Sequence, residues 1–217
     1  MKPKTVRLPN ARIWLRVASP TWDSPLDPSY ARNQGGRWNP PLSYPTLYLN
    51  ADVVTARLQI ERMLAGYPVA LDDLDDEAYV LVAATLPNHQ TCADAVSADG
   101  LHSLGLPQTY PLNSRGGNIA HERCQPVGKQ VRHEGLRGVW CKSACTSDGQ
   151  GRELAWFPAT SRAKARPVWA HPLPLGAWAS AVGWKDLRLE DQPNPRVSAR
   201  LHRRRRPGNH PPRPVPT

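Results

Sequence analysis

Between Ser19 and Pro45 the chain reads SPTWDSPLDPSYARNQGGRWNPPLSYP, a stretch with six prolines and a glycine pair. Each proline fixes its own φ, removes a backbone donor and pushes the residue before it away from helical geometry. The stretch is therefore expected to hold neither strand nor helix. A connection of this length inside a folded domain usually binds something or serves catalysis. The segments on either side do read as strands. In ARIWLRVA, residues 11–18, Ile13, Leu15 and Val17 alternate with Trp14 and Arg16, and TLYLN, residues 46–50, follows the loop. Any fold open to this chain must carry the long connection between those two strands.

The rest of the pattern completes a mixed domain. Asn50 is placed to cap a helix over residues 51–65, with Asp52 in its first turn. Val53, Ala56, Ile60, Met63 and Leu64 form its apolar arc, and Gly66 ends it. An acidic connector, LDDLDDE, leads to a strand at residues 78–86, AYVLVAATL. From Pro87 to Arg132 glycines and prolines break the pattern into short helical possibilities. GVWCKSAC at residues 138–145 reads as a strand, SDGQG as a turn, and RELAWFPA as a further strand. A final strand and irregular packing are expected from VWAHPLPLGAWASAVGW. The fold class is α/β (α+β), a single domain with a mixed twisted sheet and more strand than helix. Its expected limits are a 1–10 extension, an 11–186 domain and a 187–217 tail.

The net charge of +10 suggests nucleic acid until it is located. Seven arginines and no acidic residue lie between Gln192 and Thr217, so the rest of the chain carries only +3. That segment also has seven prolines and almost no aliphatic residues, too little apolar surface to offset ordering entropy. A disordered tail is expected, with Arg203–Arg206 able to touch a polyanion. No apolar run approaches the roughly 18 residues of a membrane span, and the first residues lack a signal-peptide core. A cytoplasmic protein with reduced cysteines is the expectation.

Within the loop, GGRWNPP at residues 35–41 carries the strongest local chemistry. Its glycines permit close backbone approach, and Arg37 offers a planar fork matched to phosphate or carboxylate. Read together, WLR at Trp14–Arg16, GGRWNPP, LYL at Leu47–Leu49, CQPVG at Cys124–Gly128 and GVWCKSA resemble the RES domain family over roughly residues 11–170. That family is known chiefly as the toxin half of bacterial RES–Xre toxin–antitoxin pairs. The resemblance implies an ADP-ribosyltransferase-like fold and an enzyme that splits NAD at the nicotinamide–ribose bond. Water, phosphate or a protein side chain would accept the ADP-ribose. NAD is then a substrate, no metal is expected, and the partners implied are an Xre-type antitoxin or a further copy of the chain.

Carried over residue by residue, the resemblance places Arg16 and Arg37 on the NAD pyrophosphate and Tyr48 and Ser143 at the nicotinamide–ribose pocket. The position after Arg16, often tyrosine in the family, is Val17 here. The family's acidic residue falls on Gln59, which can hydrogen-bond ribose but cannot act as a base. Glu61 points about 160° away on a regular helix, which leaves Glu153 or Glu122 as possible sources of a carboxylate. His121 and Glu122 stand just before CQPVG, where the family also places polar pocket groups.

Two alternatives follow from the residues. One is a RES-like protein that binds a nucleotide without cleaving it, because of Gln59. The other treats His121, Cys124, Cys141 and Cys145 as a zinc set in a nucleic-acid-binding protein.

Overall fold

The computed structural model describes residues 2–146 and 149–187. Among these, nine strands build one sheet: β1 (Thr5–Arg7), β2 (Ile13–Ala18), β3 (Leu47–Asn50), β4 (Val80–Thr85), β5 (Thr91–Ala95), β6 (Gly138–Lys142), β7 (Arg152–Trp156), β8 (Arg166–Pro167) and β9 (Leu173–Pro174). The helices are α1 (Ser29–Gln34), α2 (Val53–Leu64), α3 (Ala98–Ser103) and α4 (His121–His133). The strand order is β1-β5-β6-β7-β3-β2-β4-β8, with β9 also on β4. All pairs are antiparallel except β5 with β6, and the crossover that such a parallel pair requires carries α3 and α4. The mixed α/β single domain expected from the sequence is what forms.

Strand register decides what faces what. Antiparallel partners share a face, so Leu15 on β2, Asn50 on β3, Glu153 on β7 and Cys141 on β6 all point to the same side. On that side α2 covers Leu15, Val17, Leu81 and Ala83 together with Leu173, Leu175 and Trp178. At the other end α3 and α4 cover Ala93, Ala95, Val139, Cys141 and Ala155. The two clusters leave the middle strands β3 and β7 between them. The opposite face buries Trp14, Leu47, Leu49, Leu154 and Trp156.

Several local expectations change. The Ser19–Pro45 stretch does contain regular structure: α1 fits between Pro28, which stands outside its first turn, and Gly35, whose φ of 77° ends it. Asn50 is not the cap of α2 but the last residue of β3. Asp52 caps instead, its Oδ1 accepting from the Thr55 amide at 2.7 Å. Met63 leaves the apolar arc and is 48% exposed, while Thr55 is buried in its place. CQPVG lies inside α4, where the exposed Pro126 forgoes one helical bond without clashing with the core. The strand expected over residues 138–145 stops at Lys142. The closing strand expected from VWAHPLPL is the two-residue β9 and a 3₁₀ turn, with β8 just ahead of it.

Residues ahead of position 11 contribute edge strand β1, and Leu187 is buried under α2. The arginine–proline segment from residue 188 onward lies outside the described residues. Asp52→Ala should destabilise the fold by about 1 kcal/mol through loss of the α2 cap. Urea unfolding at pH 7 measures this.

Candidate active site

The GGRWNPP loop is held in a closed turn by its own residues and by strand β3. The Gly36 amide donates to the Asn39 carbonyl at 2.8 Å, and buried Asn39 donates from Nδ2 to the Ala31 carbonyl at 2.6 Å. Tyr48 Oη accepts from the Trp38 amide at 2.9 Å and donates to Asn39 Oδ1 at 2.8 Å. A Cβ on Gly36 would lie within 2.7 Å of the Tyr48 ring, so glycine is required for this packing. Trp38 is 1% exposed, its ring against Tyr110 and its carbonyl accepting from Tyr44 Oη.

Helix α4 forms the other side of this seat. At Gly128 the helix has no side chain, and the Trp38 carbonyl oxygen occupies the place a Cβ would take. Gln125 Nε2 donates to the Gly36 carbonyl at 3.1 Å. Arg37 Nη1 donates to the Ile119 carbonyl at 2.7 Å and reaches Cys124 Sγ at 4.0 Å. GGRWNPP and CQPVG are therefore two halves of one structure, which explains why both belong to the same pattern.

Beneath the loop, the middle strands supply the polar floor. Half-buried Glu153 on β7 accepts from Ser143 Oγ at 2.5 Å. Ser143 is fully buried, and its Oγ also accepts from the Cys145 amide at 3.0 Å. Burial raises the Glu153 carboxyl above its usual range, opposed by the Ser143 bond, the Arg37 charge and the Cys145 thiol. Asn50, paired with Glu153 across the β3–β7 ladder, donates from Nδ2 to Gln59 Oε1 at 2.9 Å. Burial likewise raises the Tyr48 hydroxyl, which stays neutral at physiological pH.

Gln59 and Ser143 thus meet at β3 and β7, Gln59 through Asn50 and Ser143 through Glu153, while Arg37 and Tyr48 belong to the loop and its seat. The Tyr48 hydroxyl and ring are engaged with the loop, and Ser143 bonds Glu153 from behind. Arg16 stands apart, on the Trp14 side of β2 by register, with its guanidinium 5.5 Å from the Trp22 ring centroid. Burial lowers its pKa to about 10, partly offset by Asp27 and Tyr30, and its Nη1 has no hydrogen-bond partner. His121 and Glu122 are exposed on the first turn of α4. Burial and the Arg37 charge lower the His121 pKa, with Glu122 opposing. No group of three or more His, Cys, Asp or Glu residues among those described is arranged to hold a metal, and the four cysteines are free thiols.

Sequence reasoning left Glu153 among two possibilities and missed Asn50. An acidic residue in RELAW on the side of Ala155, between buried neighbours, was the available signal for Glu153. Asn50 had none, because its role depends on the ladder. A recess of about 600 Å³, lined by Arg57, Glu61, Leu64 and Tyr67, lies on α2 and holds none of these groups.

Residues 7–178 match the RES domain profile. The chain belongs to the RES domain family. A solved relative in fold is the toxin–antitoxin complex MbcT–MbcA of M. tuberculosis, at 21% identity and a TM-score of 0.63, covering 80% of this chain and 89% of that one. None of the curated proteins matches the chain. In this RES domain no helix among the described residues is long and apolar enough to cross a membrane.

Proposed function

We propose that this RES domain is the toxin of a toxin–antitoxin pair and acts by cleaving NAD at the nicotinamide–ribose bond. The observation that carries the reading is the Arg37 guanidinium, fixed on the GGRWNPP turn by the Ile119 carbonyl, with its charge felt by the Glu153 carboxylate that Ser143 holds. The one is a permanent cation suited to pyrophosphate and the other an anion suited to a cationic ribose. Tyr48 acts by fixing the loop and Gln59 offers a neutral hydrogen-bonding group for ribose, while Arg16, on the other face of β2 beside Trp22, stays outside this group. The antitoxin partner is supported by the fold shared with MbcT, and an Xre-type protein is the form it takes in this reading.

Gln59 favours a second reading, a nucleotide-binding protein that does not turn its ligand over. Incubating the purified protein with NAD, with and without inorganic phosphate, and resolving nicotinamide from ADP-ribose products separates the two. Nicotinamide release supports the enzyme, and phosphate dependence identifies the acceptor. Full recovery of intact NAD, with binding detected by calorimetry, supports the second reading.

A further inference from the structure

We infer that Glu153 on β7 supplies the carboxylate of the reaction, in place of an acid at position 59 on α2. This rests on the NAD-cleavage reading above. Two carboxylates were open to the role once Glu61 was set aside by its helix position, and the structure separates them. Glu61 faces outward and pairs with Arg57 at 3.6 Å. Glu122 is exposed on the first turn of α4. Glu153 is half-buried on the face shared by Asn50 and Cys141, hydrogen-bonded to Ser143 and close enough to Arg37 to feel its charge.

The surroundings suit a working carboxylate. Ser143 Oγ fixes Oε1 at 2.5 Å, which orients the group without neutralising it. Ser143 is thus a positioning residue that acts through Glu153. The Cys145 thiol beside the carboxylate is a weak donor that a substrate hydroxyl or water can displace.

Gln59 then fits as the complement to Glu153. Asn50 is the neighbour of both, paired with one and hydrogen-bonded to the other. A glutamate at 59 would put a second carboxylate next to the asparagine that already neighbours Glu153, and like charges brought close resist joint ionisation. With a carboxamide at 59, Asn50 bonds a neutral group and Glu153 is its acidic neighbour.

In the step assigned to Glu153, the bond from ribose C1′ to the nicotinamide ring nitrogen breaks. Its electron pair returns to the ring and cancels the pyridinium charge. The positive charge left on ribose is stabilised by the carboxylate. Water attacks C1′ and gives its proton to Glu153, which passes it to solvent. The products are ADP-ribose, nicotinamide and one proton.

The test is nicotinamide release by the full chain from pH 4.5 to 8.5, for the parent protein, Glu153→Gln and Ser143→Ala. Around Glu153 stand Arg37 from the loop, Tyr110, Cys141 and Cys145, with Arg62 of α2 facing Cys145. Arg37, its pKa raised, stays charged throughout. Burial raises the phenol and both thiols, Cys145 to about 11, so these remain neutral over the range. His121, whose pKa burial and the Arg37 charge lower, is the imidazole nearby. Loss of the acid limb in Glu153→Gln separates the carboxylate from that imidazole.

Glu153→Gln is expected to lower kcat by about 100-fold or more with little change in KM, the scale of a lost general base. Ser143→Ala removes a bond that favours the ionised form, so it should move the acid limb of the parent profile to higher pH. Stability gives an independent readout. A carboxyl whose pKa is raised on folding contributes stability that is complete below its unfolded pKa and lost as pH rises through the folded value. Glu153→Gln should therefore flatten that part of the urea-unfolding profile and confirm that the variant folds.

A parent enzyme that releases nicotinamide while Glu153→Gln retains its rate within threefold overturns this inference and leaves the NAD reading intact. An acid limb unmoved by Ser143→Ala overturns it as well, even if Glu153→Gln fails to fold. A parent protein that releases no nicotinamide overturns both.

Discussion

Gly128→Ala should destabilise the protein by about 3 kcal/mol, the upper part of the range for overpacking a closed site. The sign is the informative part. In an ordinary helix interior, replacing glycine by alanine stabilises by up to about 1 kcal/mol. Here the added methyl would overlap the Trp38 carbonyl oxygen, with the Trp38 carbonyl carbon and Tyr44 Oη close behind. The obstructing atoms include backbone, and Trp38 is fixed through its amide, its ring and its carbonyl. Neither side can yield cheaply, so the loop must lift from α4. That displacement would carry Arg37 with it, and misplacement of a catalytic group by about 1 Å can lower rates about 100-fold. Urea unfolding and nicotinamide release on the same preparation measure both consequences. A neutral or stabilising Gly128→Ala would show that loop and helix do not pack this closely.

Arg37→Ala should lower NAD turnover by about 100-fold or more, the scale for removing one preorganised charged or hydrogen-bonding group from a transition state. Arg37→Lys should not restore it. The guanidinium donates to the Ile119 carbonyl while its charge remains beside Glu153, a division of duties that a planar fork permits and an ammonium does not reproduce. Because the Arg37 charge favours the ionised Glu153, its removal should also raise the carboxyl pKa and shift any residual activity to higher pH. Unchanged turnover in Arg37→Ala, with folding verified by circular dichroism, would remove the NAD-cleavage reading.

Much of this was readable in one dimension. Alternation in ARIWLRVA and the apolar run AYVLVAATL mark β2 and β4, which pair along their length. The arc of Val53, Ala56 and Ile60 marks the buried side of α2. Other features escaped for identifiable reasons. The helix α1 sits between punctuating residues that limit it without forbidding it. Helix α4 was lost in a stretch that Gly100, Gly105, Pro107 and Gly116–Gly117 break up, and the exposed proline inside it, Pro126, forfeits a single bond. Met63 failed as a core residue because α2 is covered on a narrower face than its pattern allows.

The sequence by itself determined the family, the mixed fold class, the importance of the GGRWNPP turn and the absence of an acid at Gln59, since these depend on residue identity and local spacing. Tertiary structure decided which residues meet. Alternation along β2 separates Arg16 from Leu15 but cannot say which of them shares a side with Glu153. The ladder Leu15–Asn50–Glu153–Cys141 does, and it puts Glu153 on the side of Leu15 and Arg16 on the other. The physical reason is register: local preferences fix each strand's two faces, and only pairing with a distant strand fixes which faces lie together.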